Sequence, residues 1–120
     1  VSTVLIDDDD PGIRFMLTDL LEEAGYHVAD AAHGQEAITY LHTSGIRPCM
    51  ILLDLMMPIM NGRQFRTIQQ QDPTFATIPV VVLSAVDDIK QAAGSIGAEA
   101  LIAKPVDFDA LLETVATYCA

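Results

Sequence analysis

Basic residues are scarce in this sequence. Six lysines and arginines stand against 17 aspartates and glutamates, giving a formal net charge of −11, and the only lysines are Lys90 and Lys104. No cationic surplus exists to displace the counterions of a nucleic acid, so binding to one through this domain is not expected. A metal ion or a cationic partner suits the charge balance better. Cysteine is scarce too. Cys49 and Cys119 form no metal-ligand or redox spacing and are expected to stay reduced thiols in a cytoplasmic protein. No apolar run approaches the ~20 residues of a membrane span. There is no signal-like start, so neither membrane insertion nor export is expected. The chain begins at Val1 without a methionine, as a processed chain or a piece of a longer one would. Internal repeats, low-complexity tracts and linkers are absent. With 120 residues and 51% hydrophobic content, the chain suits one domain, residues 1–120, with its own core.

What is present is an alternation of short apolar runs and amphipathic stretches. Val4-Leu5-Ile6 is β-rich and ends in Asp7-Asp8-Asp9-Asp10. Asp10 before Pro11 has the form of a helix N-cap followed by proline at the first helical position. Ile13, Met16, Leu17, Leu20, Leu21 and Ala24 then recur at helical spacing up to a stop at Gly25. A weaker strand over 26–31 and a helix over 34–41, closed by Thr43-Ser44-Gly45, come next. The spacing predicts a helix over 62–71 with Phe65 and Ile68 inward, a strand over 79–83 ending at Ser84, and a weak helix over about 88–96 closed by Gly97. The fifth strand, 100–103, ends at Lys104-Pro105, and Phe108, Leu111, Leu112 and Val115 mark a last helix. Strand and helix in strict alternation predict an α/β fold with a parallel sheet covered on both faces.

The organising stretch is Met50 to Gly62. Its apolar run ends abruptly in Asp54, as a strand buried on both faces would deliver one reactive group to the sheet edge. An ionised carboxylate among apolar neighbours needs a cation or a compensating partner. In an open parallel sheet the binding crevice lies beyond the carboxyl ends of the strands. Those ends carry the acidic run, Asp54, Ser84 and Lys104.

With the Asp-Asp pair after the first strand, Asp54 backed by Met57-Pro58 and Gly62, Ser84 after the fourth strand and Lys104-Pro105 after the fifth, the whole chain resembles the receiver domain of two-component response regulators. That resemblance implies a five-stranded flavodoxin-like (βα)5 fold with strand order 2-1-3-4-5. It implies that Asp54 is the nucleophile taking a phosphoryl group from a phosphohistidine on a histidine kinase or histidine phosphotransfer protein. It also implies a phosphoacceptor that assists its own phosphorylation and dephosphorylation, not an enzyme. Mg²⁺ is the implied cofactor, with Asp9 and Asp54 as direct ligands, the backbone carbonyl of Met56 as a third and Asp8 acting through a water. Ser84 would hydrogen-bond one phosphoryl oxygen and Lys104 would pair with another. An output domain or a downstream protein partner would read the switch. The chemistry agrees: phosphoryl transfer needs an in-line oxygen nucleophile and positive charge around the equatorial oxygens.

Three departures from the usual receiver pattern carry consequences. Asp7 makes the acidic run one residue longer, which leaves Asp7 and Asp8 as an alternative pair, although counting back from Pro11 and Arg14 favours Asp8 and Asp9. Leu101 occupies a position where many receivers have Tyr or Phe, so a switch built on an aromatic ring is not expected. The segment between Ser84 and Lys104 is about two residues short, which implies a short or displaced fourth helix. Asp7, Asp8, Asp9 and Asp54 are expected to crowd around Lys104 as their only nearby cation. Met56 and Val86, which in receivers flank the path of the hydrolysing water, are both apolar, so slow loss of the phosphoryl group is expected. Met56, Met57 and Met60 otherwise read as packing residues, and His27, His33 and His42 as surface or partly buried structural residues. Two other readings compete. A haloacid-dehalogenase-type phosphatase would want an Asp-x-Asp pair on the nucleophile strand, which Asp54-Leu55-Met56 lacks. A phosphorylation-independent module of receiver fold would be expected to have lost one of the acids or the lysine.

Overall fold

A computed structural model describes residues 2–92 and 95–119. Five strands alternate with five helices: β1 (Thr3–Asp7), α1 (Pro11–Glu23), β2 (His27–Ala31), α2 (Gly34–Thr43), β3 (Met50–Leu53), α3 (Gly62–Gln71), β4 (Val80–Ala85), α4 (Val86–Ala92), β5 (Ala100–Lys104) and α5 (Phe108–Tyr118). All pairings are parallel and the strand order is β2-β1-β3-β4-β5, the order the receiver resemblance implied. β3 therefore lies between β1 and β4, and Asp7 and Leu53 end their strands side by side.

The period of two in each strand divides the core into two layers. Val4, Ile6, Met50, Leu52, Val81 and Leu83 pack with Leu17 and Leu21 of α1 and Leu111 and Val115 of α5. Leu5, Ile51, Leu53, Val80 and Val82 turn the other way, onto Ala37, Ile38 and Leu41 of α2 and Phe65 of α3. Both faces of the inner strands are covered, which is why their sequences are continuous apolar runs.

Helix starts are fixed by side chains. Asp10 accepts from the amides of Gly12 (2.8 Å) and Ile13 (3.3 Å), with Pro11 behind it. Asn61 and Gln64 form a reciprocal capping box at α3, and Asp107 caps α5. His33, expected only as a structural residue, caps α2 by accepting from the Glu36 amide. Each such cap is worth about 1 kcal/mol.

Three expectations are corrected by the packing. Ile68 is 36% exposed, and the inward face of α3 carries Arg66 and Gln69 beside Phe65. These polar groups are buried because they bond loop backbone: Arg66 donates to the carbonyls of Ile96 (3.2 Å) and Gly97 (2.8 Å), and Gln69 to those of Phe75 (3.0 Å) and Ile78 (3.1 Å). α4 begins at Val86, directly after β4, and ends at Ala92, ahead of the expected 88–96; residues 93 and 94 lie outside the described residues. The two cysteines are also not free thiols. Cys49 just before β3 and Cys119 at the end of α5 form a disulfide, their Cα atoms 5.3 Å apart. A separation of 70 residues hid what the fold brings together.

Candidate functional site

Strand geometry delivers the polar residues to one edge. Asp8 and Asp9 follow β1, Asp54 follows β3, Ser84 is the penultimate residue of β4 and Lys104 the last of β5. Backbone bonds hold the edge together: the Asp54 amide donates to the Asp7 carbonyl (2.9 Å) and the Asp8 amide to that of Ala31 (3.1 Å). Gly62 secures the loop after β3. Its amide donates to Leu55 (3.0 Å), and a Cβ at this position would collide with the Asp54 carbonyl and come within 2.9 Å of the Leu55 Cα. Only glycine lets α3 start so close to the strand end.

Asp54 is 5% exposed and its two oxygens are differently engaged. Oδ1 accepts from Ser84 Oγ (2.7 Å) and the Met56 amide (3.3 Å), and Oδ2 faces Lys104 Nζ (3.3 Å). Lys104 lies nearer to Asp8, at 2.7 Å from Oδ2, while Asp8 Oδ1 accepts from the Asp10 amide (2.9 Å). The peptide bond between Lys104 and Pro105 is cis. The expectation that Lys104 is the only cation here needs amending. Arg14 donates to the Asp8 carbonyl (2.6 Å) and pairs with Asp30 (3.2 Å).

Charge is under strain at this edge. Burial pushes the Asp8 carboxyl above the usual range, against the lowering influence of Lys104 and the Asp10 amide. Burial works to lower the Lys104 ammonium, yet hydrogen bonding to Asp8 and the charges of Asp54 and Asp8 outweigh it, so its pKa is raised. Oxygens of Asp8, Asp9 and Asp54 lie within 4.8 Å of one another. Three carboxylates so close, two of them buried, make a donor set suited to a hard divalent cation.

Asp7 is distinct from this group. It is 0% exposed, and neither oxygen has a hydrogen-bond partner. Burial first, then the charges of Asp8, Glu36 and Asp54, push its carboxyl up to about 8. Asp7 is thus largely a neutral acid at pH 7, and the clustered oxygens belong to Asp8 and Asp9, one residue further on. Counting back from Pro11 and Arg14 favours this register; the burial of Asp7 follows from its place as the last residue of β1.

Around the edge, Met56 (62% exposed) and Val86 (46% exposed) stand outside the packed layers. Met57 and Met60 do pack against the core, but Met56 does not. Leu101 is 42% exposed on β5.

Comparison with known proteins agrees with this geometry. Residues 4–116 match the family described as "Response regulator receiver domain". The chain is 31% identical to Protein PilH of Pseudomonas aeruginosa over 96% of its own length and 95% of that protein's. It is likewise 31% identical to sporulation initiation phosphotransferase F of Bacillus subtilis, over 96% and 91%. Among solved structures, the response regulator TrrA of Thermotoga maritima in complex with Mg(2+)-BeF superposes with a TM-score of 0.85 at 27% identity, covering 98% of this chain and 99% of that one.

Proposed function

Because the chain belongs to the response regulator receiver domain family of two-component systems, we propose that Asp54 accepts a phosphoryl group from a phosphohistidine on a histidine kinase or histidine phosphotransfer protein. An Asp54 carboxylate oxygen attacks phosphorus, the P–N bond breaks, and its electron pair stays on the departing imidazole. The observation that carries this reading is the buried Asp54, flanked by a hydroxyl at 2.7 Å and an ammonium at 3.3 Å. Ser84 would hydrogen-bond one equatorial oxygen and Lys104 would pair with another as charge shifts in the transfer. Asp8, Asp9 and Asp54, with the Met56 carbonyl, would hold Mg²⁺, which when bound supplies positive charge to the transferring group. The protein then works as a phosphoacceptor that assists its own modification, with residues 1–120 acting as one receiver unit. A linked output domain or a downstream protein would read the phosphorylated form.

The test is incubation with acetyl phosphate or phosphoramidate and Mg²⁺. One acid-stable, base-labile phosphoryl group should appear, and Asp54→Asn should abolish it; labelling that survives the substitution removes Asp54 from this role. The lifetime of the group is a second measurement. Met56 and Val86 cannot hydrogen-bond or orient an attacking water, so in-line hydrolysis is disfavoured. The double variant Met56→Asn, Val86→Glu should lose phosphate faster than the wild type. Equal rates would show that these side chains do not gate the water.

A further inference from the structure

Two of the few cations of this acidic chain lie together on α3, outside the acidic cluster. Arg63 and Arg66 occupy adjacent turns of α3 and, with Thr67, Gln70, Ser95 and Ile96, line a cavity of about 140 Å³. Arg66 is 7% exposed, and its hydrogen-bond partners are all neutral: the carbonyls of Ile96 and Gly97 and the side-chain oxygen of Gln69 (2.8 Å). Arg63 donates to Ser95 Oγ (3.0 Å) and the Gln91 carbonyl (3.1 Å). Each guanidinium carries five N–H groups, so both keep donors uncommitted. Among the described residues, no carboxylate comes within ion-pair distance of either one. Glu99 is the acid whose charge reaches Arg66, and it only partly opposes the lowering that burial imposes on that guanidinium. A buried cation left without a counter-ion is costly, and a bound anion would relieve it.

We propose that this cavity is a binding site for a small phosphate-type oxyanion, held by the uncommitted N–H groups of Arg63 and Arg66 with the Gln70 amide beside them; the hydroxyls of Thr67 and Ser95 already donate to the carbonyls of Arg63 (3.0 Å) and Ala92 (2.9 Å). The volume selects the ligand class. Pockets for drug-sized ligands begin near about 300 Å³, so a nucleotide does not fit and a single oxyanion does. Donor chemistry points the same way: two planar guanidinium forks with an amide beside them carry the charge and the donors to suit a tetrahedral dianion better than a singly charged carboxylate. The lining shares no residue with the cluster at Asp54. Arg63 and Arg66 also tie α3 to Gln91 in α4 and to the connection before β5. An anion here would therefore bear on the helix that follows Ser84.

The experiment is an NMR titration of the whole chain, following the arginine Nε–H signals in buffer with a chelator, so that phosphate is not recruited to the acidic edge through a metal. Inorganic phosphate is compared with acetate and with sodium chloride at matched ionic strength. The expected result is a saturable shift of the Arg63 and Arg66 signals in the millimolar range with phosphate alone. Arg63→Gln, at an exposed position, should leave the fold intact and weaken binding about tenfold or more. Shifts that follow ionic strength alone would overturn the proposal. So would acetate binding as tightly as phosphate, unchanged affinity in Arg63→Gln, or a saturable response confined to the Asp54 region.

Discussion

The two ends of β3 are built on opposite principles. At its carboxyl end, Asp54 shares a small volume with buried Asp8 and with Asp9, against Lys104 and Arg14, and buried Asp7 lies just behind on β1. At its amino end, Cys49 is bonded to Cys119, which is itself buried in an apolar layer with Met50 and Val115. About 16 Å of strand separates them. Like charges concentrated in one place weaken a fold but create a place where a cation is welcome. A cross-link and an apolar layer do the reverse. Charge and cohesion are thus set at different ends of one strand, so each can be changed with little direct effect on the other.

Removing the cross-link is the strongest way to break that comparison. A disulfide spanning 70 residues is expected to contribute about 4 kcal/mol by restricting the unfolded chain. Cys49→Ser with Cys119→Ser should lower stability in denaturant titrations by that order, and reductant should do the same to the wild type. Acyl phosphate formation at Asp54 should persist below the new melting temperature. A variant as stable as the wild type would show that the amino end owes its cohesion to apolar packing alone.

Next in size is Asp7. Its folded carboxyl titrates near 8, whereas an unfolded aspartate titrates near 3.9. Between those values the folded state keeps a proton that the unfolded state releases, so stability is full below about pH 4 and falls as pH rises through about 8. Asp7→Val removes both the titration and the unpartnered oxygens. It should add about 2 to 4 kcal/mol at pH 8 and far less at pH 4. Chemical denaturation at the two pH values measures this, and a gain of equal size at both would show that the charge is not the cause.

The smallest expected effect is that of Mg²⁺. A tenfold excess over its dissociation constant stabilises by about 1.4 kcal/mol, so millimolar Mg²⁺ should raise the melting temperature, and Asp9→Ala should lose most of the response. An equal rise in both proteins would place the ion elsewhere. A loss confined to Asp7→Ala would move the ligand pair back by one residue.

The carboxyl-end features were readable because a parallel α/β sheet turns sequence order into spatial order. Each apolar run points at its own last residue, so Asp54, Ser84 and Lys104 could be placed at one edge before any coordinate was known. The order of the strands came with the receiver resemblance, and periodicity alone did not supply it. What escaped depended on contacts distant in sequence. Arg66 and Gln69 were not among the residues expected inward on α3, because the loop carbonyls they satisfy come from residues 75–78 and 96–97. The fourth helix starts earlier than expected because no loop intervenes: β4 runs to Ala85 and α4 begins at Val86. The pairing of the cysteines needed the strand order first: only once β3 lies inside the sheet does its start come beside the end of α5.

That pairing also divides the molecule topologically. Residues 49–119 form a covalent ring that contains Asp54, Ser84 and Lys104, whereas the two strands and two helices before it are an open tail that carries Asp8 and Asp9. A protease that cuts once between residues 50 and 118 opens the ring but releases nothing, and the product stays one molecule until it is reduced. A cut in the tail leaves its first part held only by the sheet. Asp54, Ser84 and Lys104 thus travel as one covalent object, while Asp8 and Asp9 are attached to it through a single strand of backbone.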